Sequence, residues 1–322
     1  MRSLKTLIGL EDVAADVRPV VQACRQAGIA MENLTPEEAR QVYSATCAEH
    51  TLERSNEVMV TEMIAELDEL PIKFRAYCHH EVAAEVTPLV YFIHGGGWVI
   101  GNLDTHDSLC AEIARQTKCR VIAADYRLAP EFPFPIALED CHAALNYLIA
   151  QSVNLNIDPQ KIILAGDSAG GNMATVLANI VPRTNAPCHL LGQVLFYPVT
   201  DLTAHSAGYE KITQGFSLTS HTMKWFRDHY VGIGIDLRDE RLSPLYHIHE
   251  QQLPMCIITT GLDPLSDEGI EYAAQSALAG NYVEHYHFPQ QIHGVLTYAK
   301  SVKTARDMLA LAANFITRVV YP

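Results

Sequence analysis

The chain of 322 residues lacks any apolar run close to the ~20 residues that a membrane-crossing helix needs. Met1 to Val21 lacks the long apolar stretch of a secretory signal, so no signal peptide is expected. Basic residues are few: 23 Lys and Arg stand against 37 Asp and Glu, a formal charge of −14. That excess argues against nucleic acid and anionic membranes as main partners. The cysteines Cys24, Cys47, Cys78, Cys110, Cys119, Cys141, Cys188 and Cys256 never form C-x-x-C. Several fall inside expected strands and helices, so they read as small buried hydrophobes in a reducing compartment, and a cytoplasmic location is expected. Repeats and low-complexity tracts are missing as well. What remains is an ordinary globular composition, long enough for one α/β domain with an insertion.

Two glycine-framed motifs carry the chemistry. The first is His94-Gly95-Gly96-Gly97-Trp98, the second Gly166-Asp167-Ser168-Ala169-Gly170-Gly171. The second fits G-x-S-x-G, a sharp strand-to-helix turn that lifts a serine hydroxyl above a sheet. Lys161 to Ala165 reads as a buried strand before it, and Ala169 to Val181 as a helix stopped by Pro182. Ser168 would then sit at a helix N-terminus, where negative charge is favoured. An ordinary capping serine in a Gly-rich turn is the bland alternative, and the first motif weighs against it. That motif follows the apolar strand Pro88 to Ile93 and fits the H-G-G-G loop that offers N–H groups to an oxyanion. The expected donors are Gly95, Gly96 and Ala169. A phosphate loop is excluded, because no Lys-Ser/Thr follows and neither cluster is G-x-G-x-x-G. No cofactor is needed for such a site.

Elsewhere the pattern predicts helices within 11–50, with a capping box starting at Thr35-Pro36-Glu37-Glu38. Strands are expected from near Glu57 and Pro71, then at 119–126, 161–166, 190–197, 255–260 and 283–288. Helices are expected at 106–117, 138–150, 267–279 and 297–319. Strands alternating with helices of 10–15 residues imply an α/β fold with a mostly parallel sheet covered on both faces. Residues 203–245 interrupt the alternation with scattered glycines and a helical piece near Thr219–Tyr230. The expected layout is 1–55 as N-terminal cap helices, 56–202 and 246–322 as the core, and 203–245 as a cap insertion. The cap would lie over the carboxyl ends of the strands, where open α/β sheets bind ligands.

A serine nucleophile needs a base and an acid to orient it, and in this architecture they follow in the order Ser, acid, His. Among the histidines after Ser168, only His293 lies in a loop between the last strand and the last helix. His285 and His287 alternate along a strand and could share a face, but no third metal ligand is evident, and no metal is expected. For the acid, Asp263 ends the strand before the histidine strand and is favoured. Asp267 and Glu268 open the next helix, where capping is their expected role, and Asp201 is a weaker rival. Trp98, Phe216, Trp225 and Phe226 are candidates for an acyl pocket, with core packing the commoner fate for each. His94 and Asp167 are read as braces of the two loops or as plain polar satisfaction. Tyr126-Arg127 with Glu131 reads as a turn.

These residues resemble the bacterial hormone-sensitive-lipase family of esterases within the α/β-hydrolases. The resemblance runs through His94-Gly95-Gly96-Gly97, Asp125-Tyr126-Arg127-Leu128-Ala129-Pro130-Glu131, Gly166 to Gly171, Asp263-Pro264-Leu265-Ser266-Asp267-Glu268-Gly269 and Ile292-His293-Gly294. It implies an α/β-hydrolase fold with a helical cap, and Ser168, Asp263 and His293 as the triad. It also implies Gly95, Gly96 and Ala169 as oxyanion donors, short acyl esters as substrates, and a homodimer through an edge strand. Val295 stands where the family often has Phe, which would alter the pocket wall. Thr260-Gly261-Leu262 replaces the family's acidic-aromatic approach to the acid. Two other readings share the scaffold: an amidase or peptidase with the same triad, and a ligand-binding receptor, which His293 weighs against.

Overall fold

The computed structural model describes residues 8–67, 70–184 and 186–322. Before the sheet begins, Arg18–Ala27 (α1) and Pro36–His50 (α2) form two helices. The capping box at α2 is present, with Thr35 and Glu38 bonding each other's backbone reciprocally. The chain then runs through Val58–Leu67 (β1), Leu70–His79 (β2), Thr87–Ile93 (β3), Asp107–Thr117 (α3) and Arg120–Ala124 (β4). Next come Ile136–Ala150 (α4), Ile157–Asp167 (β5), Ala169–Ile180 (α5) and Leu190–Phe196 (β6). The insertion holds Ala207–Lys211 (α6) and Ser220–Tyr230 (α7). Met255–Leu262 (β7), Ser266–Leu278 (α8), Val283–Ile292 (β8) and Lys303–Val320 (α9) complete the fold.

The eight strands form one sheet in the order β1-β2-β4-β3-β5-β6-β7-β8. β1 with β2 and β2 with β4 pair antiparallel, and every pairing from β4 through β8 is parallel. β3 is buried at every position, as expected for a strand covered on both faces. Its side chains feed two apolar layers: Leu89, Tyr91 and Ile93 on one side, Val90 and Phe92 on the other. The parallel pairing aligns the carboxyl ends of β3, β5, β7 and β8, so the loops after them meet above one edge of the sheet.

The C-terminal helix begins later than the expected start at 297. Instead of one helix from 297, a short turn spans Val295–Tyr298 and α9 starts at Lys303. Gly294, with φ 70°, turns the chain out of β8 in the left-handed region that glycine tolerates. Val302, Ala305, Leu309, Ala312 and Ile316 form an apolar stripe that is buried against the sheet.

Candidate active site

Ser168 lies between β5 and α5 with φ 54° and ψ −119°, a conformation costly for a residue with a Cβ. Its surroundings hold it there. The Ser168 N–H donates to the Phe196 carbonyl at 2.9 Å, and the Ser168 carbonyl accepts from Asn172 N at 3.0 Å. The turn needs glycine on both sides because backbones touch: a Cβ on Gly170 would lie 2.0 Å from the Ile93 carbonyl oxygen, and one on Gly166 2.5 Å from Gly170.

His293, in the loop after β8, bridges two groups. Its Nε2 is 2.9 Å from Ser168 Oγ, and its Nδ1 is 2.7 Å from Asp263 Oδ2. Asp263, just past β7, is itself held: Thr260 Oγ1 donates to Oδ2 at 3.0 Å and Leu265 N to Oδ1 at 2.9 Å. All three side chains are buried. A donor on Asp263 is impossible while it is ionised, so Nδ1 carries the proton and Nε2 is left to accept from the serine.

The glycine loop is stitched to the nucleophile turn by Asp167. The Gly95 N–H donates to Asp167 Oδ1 at 2.8 Å, and His106 Nε2 lies 3.1 Å from the same oxygen. Gly95 was expected to offer its N–H to an oxyanion, but that proton is already committed to a buried carboxylate. Gly96 and Gly97, in contrast, line the cavity beside Ser168. Burial by itself would raise the Asp167 pKa; the His106 charge, its hydrogen bond and the Gly95 N–H outweigh it and hold the carboxyl below its usual value. His94 is stacked on Tyr126 with ring centroids 4.2 Å apart, and its Nδ1 meets the Gly95 carbonyl at 2.8 Å. Burial, reinforced by nearby His106, pushes the His94 pKa down to about 3, so it is neutral at working pH.

Above Ser168 lies a cavity of about 470 Å³, within the ordinary size of small-molecule sites. One wall is α1, through Pro19, Val20, Ala23 and Cys24; another is α2, through Val42, Tyr43 and Thr46. The insertion supplies Leu218, Thr222 and Phe226, and the loop after β8 supplies Thr297 and Tyr298. Of the four aromatic candidates, Phe226 alone faces this cavity. Trp98 is buried and stacked 4.4 Å from Tyr230, Phe216 packs beneath Arg25, and Trp225 rests on Phe226 and His229. Val295 is likewise in the core and not on the cavity wall.

A model of the alpha/beta hydrolase fold matches residues 90–297. The chain belongs to the α/β-hydrolase family. Ethyl acetate hydrolase from Pseudomonas putida is 31% identical over 309 residues, 94% of this chain and 96% of that protein. Carboxylesterase NlhH from Mycobacterium tuberculosis is 34% identical over 245 residues, 74% of this chain and 76% of that one. Among solved structures, an alpha/beta hydrolase enzyme from the metagenome of Lake Arreo, Spain, superposes with TM-score 0.91 at 30% identity, covering 96% of this chain and 98% of that one. A thermostable esterase from Pseudomonas putida ECU1011 superposes with TM-score 0.91 at 27% identity, covering 96% and 98%. The likeness to hormone-sensitive-lipase-type esterases read from the motifs is therefore a family membership.

The rival acids of this α/β-hydrolase are engaged elsewhere. Asp201 accepts from Thr203 and from Tyr246 Oη at 3.0 Å. Asp267 does not cap its own helix; its Oδ2 accepts the Gly208 N–H of α6 at 2.8 Å and so ties the insertion to the core. Glu268 is buried and takes the N–H groups of Thr200 and Asp201 at 2.8 and 3.1 Å. Burial pushes its pKa well up despite those two donors. His285 and His287 both meet the Thr259 hydroxyl, at 2.8 and 2.9 Å. Among the described residues, no group of three His, Cys, Asp or Glu is placed to hold a metal ion, and no helix is long and apolar enough to cross a membrane. The Tyr126–Glu131 segment is more than a turn. Tyr126 Oη donates to the His94 carbonyl at 2.8 Å, Arg127 pairs with Asp140, and Glu131 pairs with Arg40 of α2. His106 and Thr260 were not foreseen. Neither lies in a recognisable motif, and the His106 partner is distant in sequence.

Proposed function

We propose that the protein hydrolyses carboxylic esters of short to medium acyl chains, with Ser168 as nucleophile, His293 as base and Asp263 as its orienting acid. The observation that carries this is the single imidazole bonded at once to Ser168 Oγ and Asp263 Oδ2. Ser168 Oγ attacks the ester carbonyl as His293 Nε2 takes its proton. Asp263 keeps the proton on Nδ1 and stabilises the imidazolium. The tetrahedral oxyanion falls to the N–H groups of Gly96, Gly97 and Ala169. Ala169 is the first residue of α5, whose early N–H groups have no partner within the helix. Each such donor contributes roughly 3–4 kcal/mol in the transition state. The imidazolium then protonates the departing alkoxide, and water repeats the sequence on the acyl-enzyme to release the acid.

In this reading α1, α2 and the 203–245 insertion act as the cap. They close the cavity to a finite volume, which favours small acyl groups over long ones. A panel of p-nitrophenyl esters from acetate to palmitate, run beside the matching anilides, tests the proposal. Turnover concentrated on esters of about two to eight carbons is expected from a cavity of ordinary small-ligand size. Faster cleavage of anilides than of esters would make the protein an amidase, and efficient hydrolysis of emulsified long-chain triglycerides would refute the capped-cavity argument.

A further inference from the structure

α9 cannot cap itself. Its N-cap residue is Val302, whose side chain offers no acceptor, and the first N–H groups of a helix have no partner within it. The acceptor comes from the other end of the chain. Asp16 Oδ2 accepts the Thr304 N–H at 2.8 Å and the Thr304 hydroxyl at 2.7 Å. A carboxylate there also complements the helix dipole. The other oxygen of the same carboxylate, Oδ1, accepts Gln291 Nε2 at 2.9 Å. Beside it, the Ala14 N–H donates to the Gln290 carbonyl at 3.0 Å. Val13 and Val17, on either side of Asp16, are buried in the same apolar cluster as Ile292, Val295 and Val302.

These contacts fall on both flanks of His293: 290–292 before it and 302–304 after it. The strap that makes them leads directly into α1, whose Pro19, Val20 and Cys24 wall the cavity. Burial acts to raise the Asp16 pKa, but the Thr304 and Gln291 donors outweigh it and hold the carboxyl below its ordinary value, so it is charged at neutral pH.

We propose that Asp16 is a positioning residue for His293: it clips the N-terminal strap to both sides of the His293 loop, so that seating the cavity wall and placing the imidazole are one structural event. The proposal rests on the ester-hydrolase reading, in which His293 is the base. A carboxylate suits the post because two oxygens must serve three donors arriving from two segments. Asparagine can keep the clip without the charge. Its carbonyl would serve Thr304, and its amide would donate to Gln291 Oε1, which has no partner now, after a flip of the Gln291 amide.

The test compares Asp16→Ala, Asp16→Asn and Gln291→Leu with the full-length wild type, at a temperature where circular dichroism shows each folded. Three quantities are read: kcat and KM on p-nitrophenyl acetate, the labelling rate of Ser168 by a small fluorophosphonate, and the downfield Nδ1–H proton resonance of His293, assigned by its loss in His293→Gln. Misplacing a catalytic group by about 1 Å can cost about 100-fold, so Asp16→Ala is expected to lose about ten- to 100-fold in kcat. Labelling should fall in parallel, KM should stay within about twofold, and the His293 resonance should broaden. Asp16→Asn should restore most of the rate, and Gln291→Leu should show a smaller loss of the same kind. If Asp16→Ala does not fold, Gln291→Leu carries the test. Folded variants with unchanged kcat, labelling and resonance, and only a raised KM or a lowered Tm, would reduce Asp16 to an anchor of the cap and overturn the proposal. A wild type that is neither labelled nor active would refute the esterase reading instead, and the resonance would still report on the clip.

Discussion

Replacing Asp263 by Asn changes one atom and should remove nearly all turnover. The backbone decides how the new amide sits. Leu265 N donates to Asp263 Oδ1 at 2.9 Å, so the Asn carbonyl must stay on that side. The amide NH2 then takes the place of Oδ2, which now faces His293 Nδ1 at 2.7 Å and the Thr260 hydroxyl at 3.0 Å. A hydroxyl can rotate to accept, and the imidazole can accept only by moving its proton to Nε2. That tautomer points a hydrogen at Ser168 Oγ, 2.9 Å away, and cannot take the serine proton. The equivalent change in a serine protease with this constellation cost about 10⁴-fold, or about 5 kcal/mol at 1.36 kcal/mol per tenfold. Asp267→Asn is the internal comparison. Its carbonyl can still accept the Gly208 N–H, and the loss of charge at a helix start costs at most ~1 kcal/mol. The assay is kcat on p-nitrophenyl butyrate for both variants, with folding checked by circular dichroism. Asp263→Asn retaining more than a tenth of wild-type turnover, or Asp267→Asn suffering the larger loss, would refute the reasoning and reopen the choice of acid among Asp263, Asp267 and Glu268.

Ser168→Ala should abolish both ester turnover and covalent labelling by fluorophosphonates; stoichiometric labelling of that variant by mass spectrometry would place the nucleophile elsewhere. Phe226→Ala should widen the cavity where the insertion meets Gly97, whose added Cβ would lie 2.2 Å from the ring, and so shift the preferred acyl chain longer; an unchanged chain-length profile would remove Phe226 from the pocket wall. His94, held at about 3 in the folded protein, should make stability fall with acidification. Because the folded pKa lies below the unfolded value near ~6.5, the unfolded chain takes up the proton first, so the contribution is full above ~6.5 and is lost as pH falls toward 3. Urea unfolding at pH 7, 6, 5 and 4 should show a shallower decline for His94→Gln than for wild type, and equal slopes would exclude His94 as the source.

The three residues that sequence reasoning names as a triad, and that the structure brings together, share a property. Ser168, Asp263 and His293 each follow a strand directly, and each stands in a loop that opens at the carboxyl edge of a parallel sheet. Local patterning therefore names them, and the sheet order brings them together without further information. The positions it placed badly share the opposite property. Gly95 looks like a donor in its motif, yet its proton is taken by Asp167 from the neighbouring strand end. Asp267 looks like a helix cap, yet it reaches the insertion helix. The last helix is expected from 297, yet it starts at Lys303, where a carboxylate from residue 16 supplies the cap that Val302 cannot. In each case a strong acceptor was drawn to an orphan N–H far away in sequence, and a buried N–H that must be paired takes whichever partner the fold delivers. Local rules assign such groups to their neighbours, so they err where a carboxylate joins separate segments. The joints at Asp167, Asp267 and Asp16 link the glycine loop, the insertion and the N-terminal strap to the elements that carry Ser168, Asp263 and His293. The parts of this site that local patterning could not name are therefore the parts that hold it in register.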